Sequence, residues 1–223
     1  MACLTIQSLL SQTVPLKGLV VIDNSNANRV LGAFAFSAQA EWATQLGVSF
    51  RYVAAPPLGI VGAHCLAEEE ALRCEGEMVL HADDDMWYPP RFVERVLGAC
   101  SDIVGALCYF GMSDPPAAPY TDVAQAYLHE RYFLGGAFAY HRRLAGLWPE
   151  VRKHTQGLYD DLAWQLYAEE KGGGTQERLP ATPEYTVVHY ARFHPARYDG
   201  AHGEFIRSVR QAAAEFHRGA QCQ

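Results

Sequence analysis

A chain of 223 residues with a formal net charge of −7 suits one domain with an ample core, and its acidity excludes a general nucleic-acid-coating role, which calls for a strongly basic surface. Apolar residues make up 49% and charged residues 19%, ordinary for a soluble globular protein; no apolar run approaches a membrane span and no signal peptide is visible, so a cytoplasmic location is expected. The six cysteines (Cys3, Cys65, Cys74, Cys100, Cys108 and Cys222) are scattered with no Cys-x-x-Cys pair, which points to buried free thiols in a reducing compartment.

Leu4, Ile6, Leu9 and Leu10 mark a short helix ending near Gln12. Leu19 to Ile22 is a short apolar strand running into Asp23-Asn24-Ser25-Asn26, and helix, strand and polar loop in that alternation are the pattern of α/β proteins. Phe34 to Leu46 reads as a second amphipathic helix, and Ser49 to Val53 as a strand with Phe50 and Tyr52 on one face and Arg51 on the other. Pro56-Pro57-Leu58-Gly59 breaks the chain before a third helix, Val61 to Arg73. That helix turns Val61, Cys65, Leu66 and Leu72 inward, and Glu68, Glu69 and Glu70 read as its solvated side.

Met78 to Leu80 then ends a buried strand, and three carboxylates follow it, Asp83, Asp84 and Asp85. Pro89 and Pro90 stop the strand and open a helix with Phe92, Val93, Val96 and Leu97 on one face. Adjacent carboxylates repel, so a fold that gathers them at a strand end usually supplies a cation. Strand alternation puts Asp83 and Asp85 on one side and Asp84 on the other. Two carboxylates on one side suit a hard, oxygen-preferring ion, Mg²⁺ or Mn²⁺, with positions left for phosphate oxygens. A solvated acidic turn is the plainer alternative.

Asp102 to Tyr109 reads as a strand, and Gly111 to Thr121, rich in proline, as a loop over the site. Tyr132 to Arg143 carries Gly135 and Gly136, which let a ligand approach the backbone or form a β-bulge. Asp160 and Asp161 open a helix running to Gly172, with Leu162, Trp164 and Leu166 inward; acidic residues there also serve as caps. Gly172-Gly-Gly-Thr is a loop, Tyr185 to Tyr190 a last strand, and Gly203 to His217 a closing amphipathic helix. There is no internal repeat.

An apolar strand, Asp-x-Asp, an apolar residue, Pro and a helix resembles the metal and nucleotide-sugar motif of GT-A glycosyltransferases, above all glycosyltransferase family 2, and the likeness runs from Leu4 to about His194. The resemblance implies a single GT-A (Rossmann-like) α/β domain over residues 1–223, with a mixed, mostly parallel sheet flanked by helices. The family's first strand is missing or replaced, or the chain starts late relative to the family, because the sequence opens inside the first helix. Asp23 matches the family's contact to the donor nucleobase, with an Asx-turn as the alternative. Asp83, Asp84 and Asp85 match the donor and metal motif, Asp83 and Asp85 holding Mn²⁺ or Mg²⁺. His64 and Cys65 stand where the family has Arg and Asn, so His64 either faces a donor phosphate or is a capped structural histidine. Gly135 and Gly136 match the strand that lines the acceptor side. Asp161 matches the general base, and Asp160 replaces the Glu before it. His189, with His194 in reserve, matches a histidine that completes the metal shell or touches the diphosphate, a structural histidine being the alternative.

The function so implied is metal-dependent, inverting transfer of a sugar from a nucleoside-diphosphate sugar to an acceptor hydroxyl. The acceptor stays open among a glycan, a small molecule, a protein and a hydroxylated base in nucleic acid, the last resting on a local basic patch of Arg142, Arg143, Arg152 and Lys153. Two rivals stand beside it. A nucleotidyltransferase would call for a glycine-rich phosphate loop, and none is evident. An idle GT-A-like binding protein fits the departures at the first strand and at His64-Cys65, but Asp83, Asp85 and Asp161 together argue against it.

Overall fold

A computed structural model describes residues 2–25, 29–106, 108–110, 137–155, 160–171, 175–179, 185, 187–189, 208, 211, 212 and 215. Helix and strand alternate as the periodicity predicts. Helix α1 (Ala2–Leu10) leads to β1 (Gly18–Asp23), α2 (Arg29–Ala35) and α3 (Ser37–Gln45) to β2 (Ser49–Ala54), and α4 (Gly59–Ala71) to β3 (Met78–Ala82). After β4 (Met86–Trp87) come α5 (Phe92–Gly98), β5 (Ile103–Gly105), β6 (Cys108–Phe110) and β7 (Ala137–His141), which runs into a 3-10 turn, Arg142–Leu144. The last described elements are α6 (Trp148–Val151), α7 (Asp160–Glu170), β8 (Gln176–Arg178) and β9 (Val187–His189). The helix expected over 34–46 is two helices, broken at Phe36. Helix α3 stops in a Schellman turn: Gly47 adopts φ 71°, its N–H donates to Thr44 O at 3.0 Å, and Val48 N donates to Ala43 O at 2.8 Å. Glycine takes that left-handed conformation at little steric cost.

Strand β7 lies between β3 and β5 and is antiparallel to both, and β8 runs parallel to β5. β1 and β2 form a parallel pair, while β9 joins β4 antiparallel and β6 parallel. The mixed sheet arrangement is as expected, but the described ladders divide evenly where a parallel majority is expected. The strand expected over 102–109 is split, because β5 and β6 enter different sheets. No ladder joins the β1–β2 pair to the β3 sheet among the described residues.

Both faces of the central sheet are covered, and β7 shows how. Phe138 and Tyr140 pack with Trp148, Leu162 and Trp164 under α6 and α7. The alternate residues, Ala137 and Ala139, pack with Leu9, Phe92 and Val96 under α1 and α5. A strand buried on both faces carries a continuous apolar run rather than alternation. Leu162 to Ala168 are all buried, so α7 is enclosed on every side. No helix among the described residues is long and apolar enough to cross a membrane.

The expected wet side of α4 is corrected. Glu68 and Glu70 are only 6% and 5% exposed, because each has partners that offset its desolvation. Glu68 accepts from Tyr140 Oη and from Gly146 N, both at 2.7 Å, and burial holds its carboxyl above the usual range. Glu70 meets Arg51 at 2.9 Å and Arg73 at 2.7 Å. Glu69 alone of the three stays exposed. The basic patch is also reduced. Arg142 donates to the carbonyls of Leu72, Cys74 and Gly76, Arg143 pairs with Asp102 at 2.7 Å and Lys153 with Glu150. Cys3, Cys65 and Cys74 are half-buried thiols and Cys100 is exposed. Gly135, Gly136, His194, the 111–121 loop and most of the 203–217 helix lie outside the described residues.

Candidate active site

The acid turn leaves β3 at Ala82 and enters β4 at Met86. The triplet is a turn rather than the strand expected, yet Asp83 and Asp85 are half-buried and Asp84 is exposed. What fixes the turn is a polar stripe on α1 that apolar periodicity does not register. Thr5 Oγ1 donates to Asp84 O at 2.9 Å and accepts from Met86 N at 3.1 Å. Ser8 Oγ accepts from Tyr88 N at 3.1 Å. Gln12 Nε2 donates to Pro89 O and its Oε1 accepts from Val93 N, each at 2.9 Å. Thr5, Ser8 and Gln12 are 4%, 5% and 8% exposed. They sit at helical spacing on one face of α1 and its extension, so they splint the backbone from Asp84 into α5. Pro89 and Pro90 cannot supply backbone donors there, and Gln12 instead meets the Pro89 carbonyl.

Two imidazoles join this turn to the start of α7. His81, on β3, lies with Nε2 3.8 Å from Asp83 Oδ1, beyond hydrogen-bond reach. Burial pushes its pKa down to about 3, and the neighbouring His64 adds to the effect. It is therefore a neutral ring beside a carboxylate, not an ion pair. His81 stacks on Phe138 and meets the edge of His64 at 4.3 Å between ring centroids. His64, on α4, also lies on Trp148 at 4.5 Å, and its Nε2 stands 2.9 Å from Asp160 Oδ2. Burial opposes ionisation of Asp160, but the hydrogen bond and charge of His64 outweigh it and hold the carboxyl below its usual range. Asp161 Oδ1 accepts from Leu162 N at 2.8 Å, within the first turn of the helix. His64 thus meets a carboxylate of the Asp160–Asp161 pair.

Asp23, at the end of β1, forms the Asx-turn that was the alternative reading. Its Oδ1 accepts from Ser25 N at 3.0 Å and from Ser25 Oγ, and its Oδ2 accepts from Tyr52 Oη at 2.6 Å. The Ser25 hydroxyl, then Tyr52 and the Ser25 amide, hold the Asp23 carboxyl below its usual range. A Cβ on Gly32 would overlap the Tyr52 hydroxyl, so any side chain at position 32 would have to displace Tyr52.

The backbone of β9 sets His189 opposite Met86, the residue after Asp85. Ala137, the residue after Gly136, pairs with Ala82 beside Asp83. Among the described residues no group of three or more His, Cys, Asp and Glu stands ready to hold a metal. The donor set at the turn nevertheless fits a hard cation: two half-buried carboxylates, Asp83 and Asp85, with Asp84 turned out to solvent. Such an ion keeps several positions for water and substrate oxygens and takes only one or two protein carboxylates.

Neither a protein-family model nor a curated protein matches the chain. Solved structures do. The chain is similar to the crystal structure of GalNAc-T7 with UDP, GalNAc and Mn²⁺, with a TM-score of 0.56 and 14% identity over 93% of this chain and 44% of that one. It therefore spans less than half the length of that protein. At this identity the likeness shows the fold, a GT-A-like α/β domain, and nothing finer. The inositol-1-phosphate CTP transferase of T. maritima gives a TM-score of 0.47 at 16% identity, covering 94% of this chain and 83% of that one, too low to argue from.

Proposed function

We propose that this protein is a divalent-metal-dependent, inverting glycosyltransferase that uses a nucleoside-diphosphate sugar. The observation that carries the reading is the link from the acid turn to the Asp160–Asp161 helix start through His81 and His64. It brings two carboxylate groups, remote in sequence, to one end of a GT-A-like sheet. Asp83 and Asp85, with His189 beside them, would hold Mn²⁺ or Mg²⁺; when bound, the ion neutralises charge growing on the diphosphate leaving group. Asp84 belongs to the donor side, and Asp23 would contact the nucleobase through lone pairs left over from Ser25 and Tyr52. The resemblance would assign Gly135 and Gly136 to the acceptor side.

The acceptor hydroxyl attacks the anomeric carbon from the face opposite the diphosphate. A new C–O bond forms as the sugar–phosphate C–O bond breaks, and the hydroxyl proton passes to Asp161. Holding both reactants in line supplies much of the acceleration. The GalNAc-T7 structure holds UDP and Mn²⁺, which supports a nucleotide-sugar donor here. The acceptor is one of a glycan, a small molecule, a protein or, with the basic residues largely paired, less favourably a hydroxylated base.

The test uses UDP-N-acetylgalactosamine, UDP-glucose and GDP-mannose, each with and without Mn²⁺, read by thermal shift and by donor hydrolysis. At least one donor should raise the melting temperature only with metal and should be hydrolysed. Asp85→Asn should abolish both effects while the circular dichroism stays native. Near-normal hydrolysis in Asp85→Asn would put the metal elsewhere, and binding without hydrolysis in the wild type would favour an idle binding protein.

A further inference from the structure

The pairing of His64 with Asp160 leads beyond the roles proposed so far. Both side chains are largely enclosed, at 16% and 14% exposure, and the 2.9 Å contact is the point where α4 meets the first residue of α7. The His64 ring is held on two sides, by His81 of β3 and by Trp148 of α6. Its orientation is therefore held by packing as well as by the contact to Asp160. Asp160 in turn begins an enclosed helix, so its carboxylate is a fixed point on a rigid element rather than a mobile surface group.

We infer that His64 is a positioning residue: its Nε2–H latches the Asp160 carboxylate and thereby sets the distance between the Asp161 end of the site and the Asp83–Asp85 end. The His64 ring packs against both His81 and Trp148. One of those neighbours, His81, belongs to the strand that delivers Asp83. The latch therefore references the base-bearing helix to the metal-bearing strand through two rings. This rests on the proposed glycosyl transfer. It reassigns His64 from a donor-phosphate contact to the spacing of the two ends. A misplacement of about 1 Å between reacting groups can cost roughly a hundredfold in rate, so a spacer with no substrate contact has leverage on turnover.

Two variants separate the hydrogen bond from the ring. His64→Phe keeps the packing against His81 and Trp148 and loses the N–H. His64→Gln loses the ring and keeps an N–H donor. With whichever donor the wild type hydrolyses in Mn²⁺, kcat should fall roughly ten- to a hundredfold in His64→Phe, with the donor Kd within about twofold because its contacts are untouched. His64→Gln should recover most of the rate. Rate unchanged in His64→Phe, or lost in His64→Gln but kept in His64→Phe, overturns the latch. A donor Kd weakened in step with kcat also overturns it, in favour of a phosphate contact. A wild type that neither binds nor hydrolyses any of the three donors instead overturns the glycosyltransferase reading on which the latch depends.

Discussion

At the residue scale, the two adjacent carboxylates that open α7 have different surroundings and so different expected roles. Asp160 is committed to His64, whereas Asp161 accepts from the amide of the next residue. Asp161→Asn keeps the side-chain shape and can still accept that amide, so the fold should survive. It removes the proton acceptor, and transfer should fall by about two orders of magnitude or more, with donor Kd close to wild type. Asp160→Asn can still accept from His64 and should cost less. Calorimetry for donor affinity and a rate measurement on both variants decide the matter; loss of donor binding in Asp161→Asn, or greater damage in Asp160→Asn, assigns the base wrongly. These acids were legible in the sequence because a strand end and a helix start are themselves legible. The link between them was not, since His64 reads as a donor-phosphate contact or a capped structural histidine until Asp160 is placed against it.

At the element scale, α1 is the unexpected contributor. Its apolar residues Leu4, Ile6, Leu9 and Leu10 were legible as a helical pattern, but that pattern assigns no role to Thr5, Ser8 and Gln12, which are buried. They are buried because backbone amides and carbonyls of the acid turn lie against them, and no periodicity within α1 registers a partner on another element. The same blindness explains Glu68 and Glu70, which apolar spacing assigns to solvent and which Tyr140, Arg51 and Arg73 make tolerable inside. A buried polar group stripped of its partner costs about 1–3 kcal/mol. Thr5→Val, which strands Met86 N–H, should therefore lower stability by about that much, and so should Gln12→Leu, which strands Val93 N–H while Pro89 O keeps the Phe92 amide. Urea unfolding measures both. If the splint fixes the acid turn, Thr5→Val should also weaken Mn²⁺-dependent donor binding at temperatures where it is fully folded.

At the scale of the whole molecule, the buried imidazole of His81 makes stability depend on pH. Its pKa is about 3 in the folded protein and near 6.5 when unfolded. Between those values the unfolded chain holds a proton that the folded chain does not, so stability rises with pH across this window. The contribution is fully present above about pH 6.5 and is lost as pH falls towards 3, with a slope of at most about 1.4 kcal/mol per pH unit. His81→Phe retains an aromatic ring beside Phe138 and removes the titration. In metal-free buffer its urea midpoint should depend less steeply on pH between about 4 and 6 than that of the wild type. An equal slope would mean that His81 is protonated when folded.

The α1 splint also orders events in time. Thr5, Ser8 and Gln12 reach partners 79, 80 and 81 residues away along the chain, so the acid turn acquires its shape only after a long loop has closed. Closure of such loops is entropically slow to be rewarded, whereas helices form locally and early. During refolding, secondary structure should therefore return before the ability to bind a nucleotide sugar with Mn²⁺. Stopped-flow circular dichroism beside double-jump donor binding would resolve the two phases, and their coincidence would sink the idea. A partly folded chain would then carry its acidic triplet as an unshaped, solvated run, unable to compete for metal until its first helix has docked.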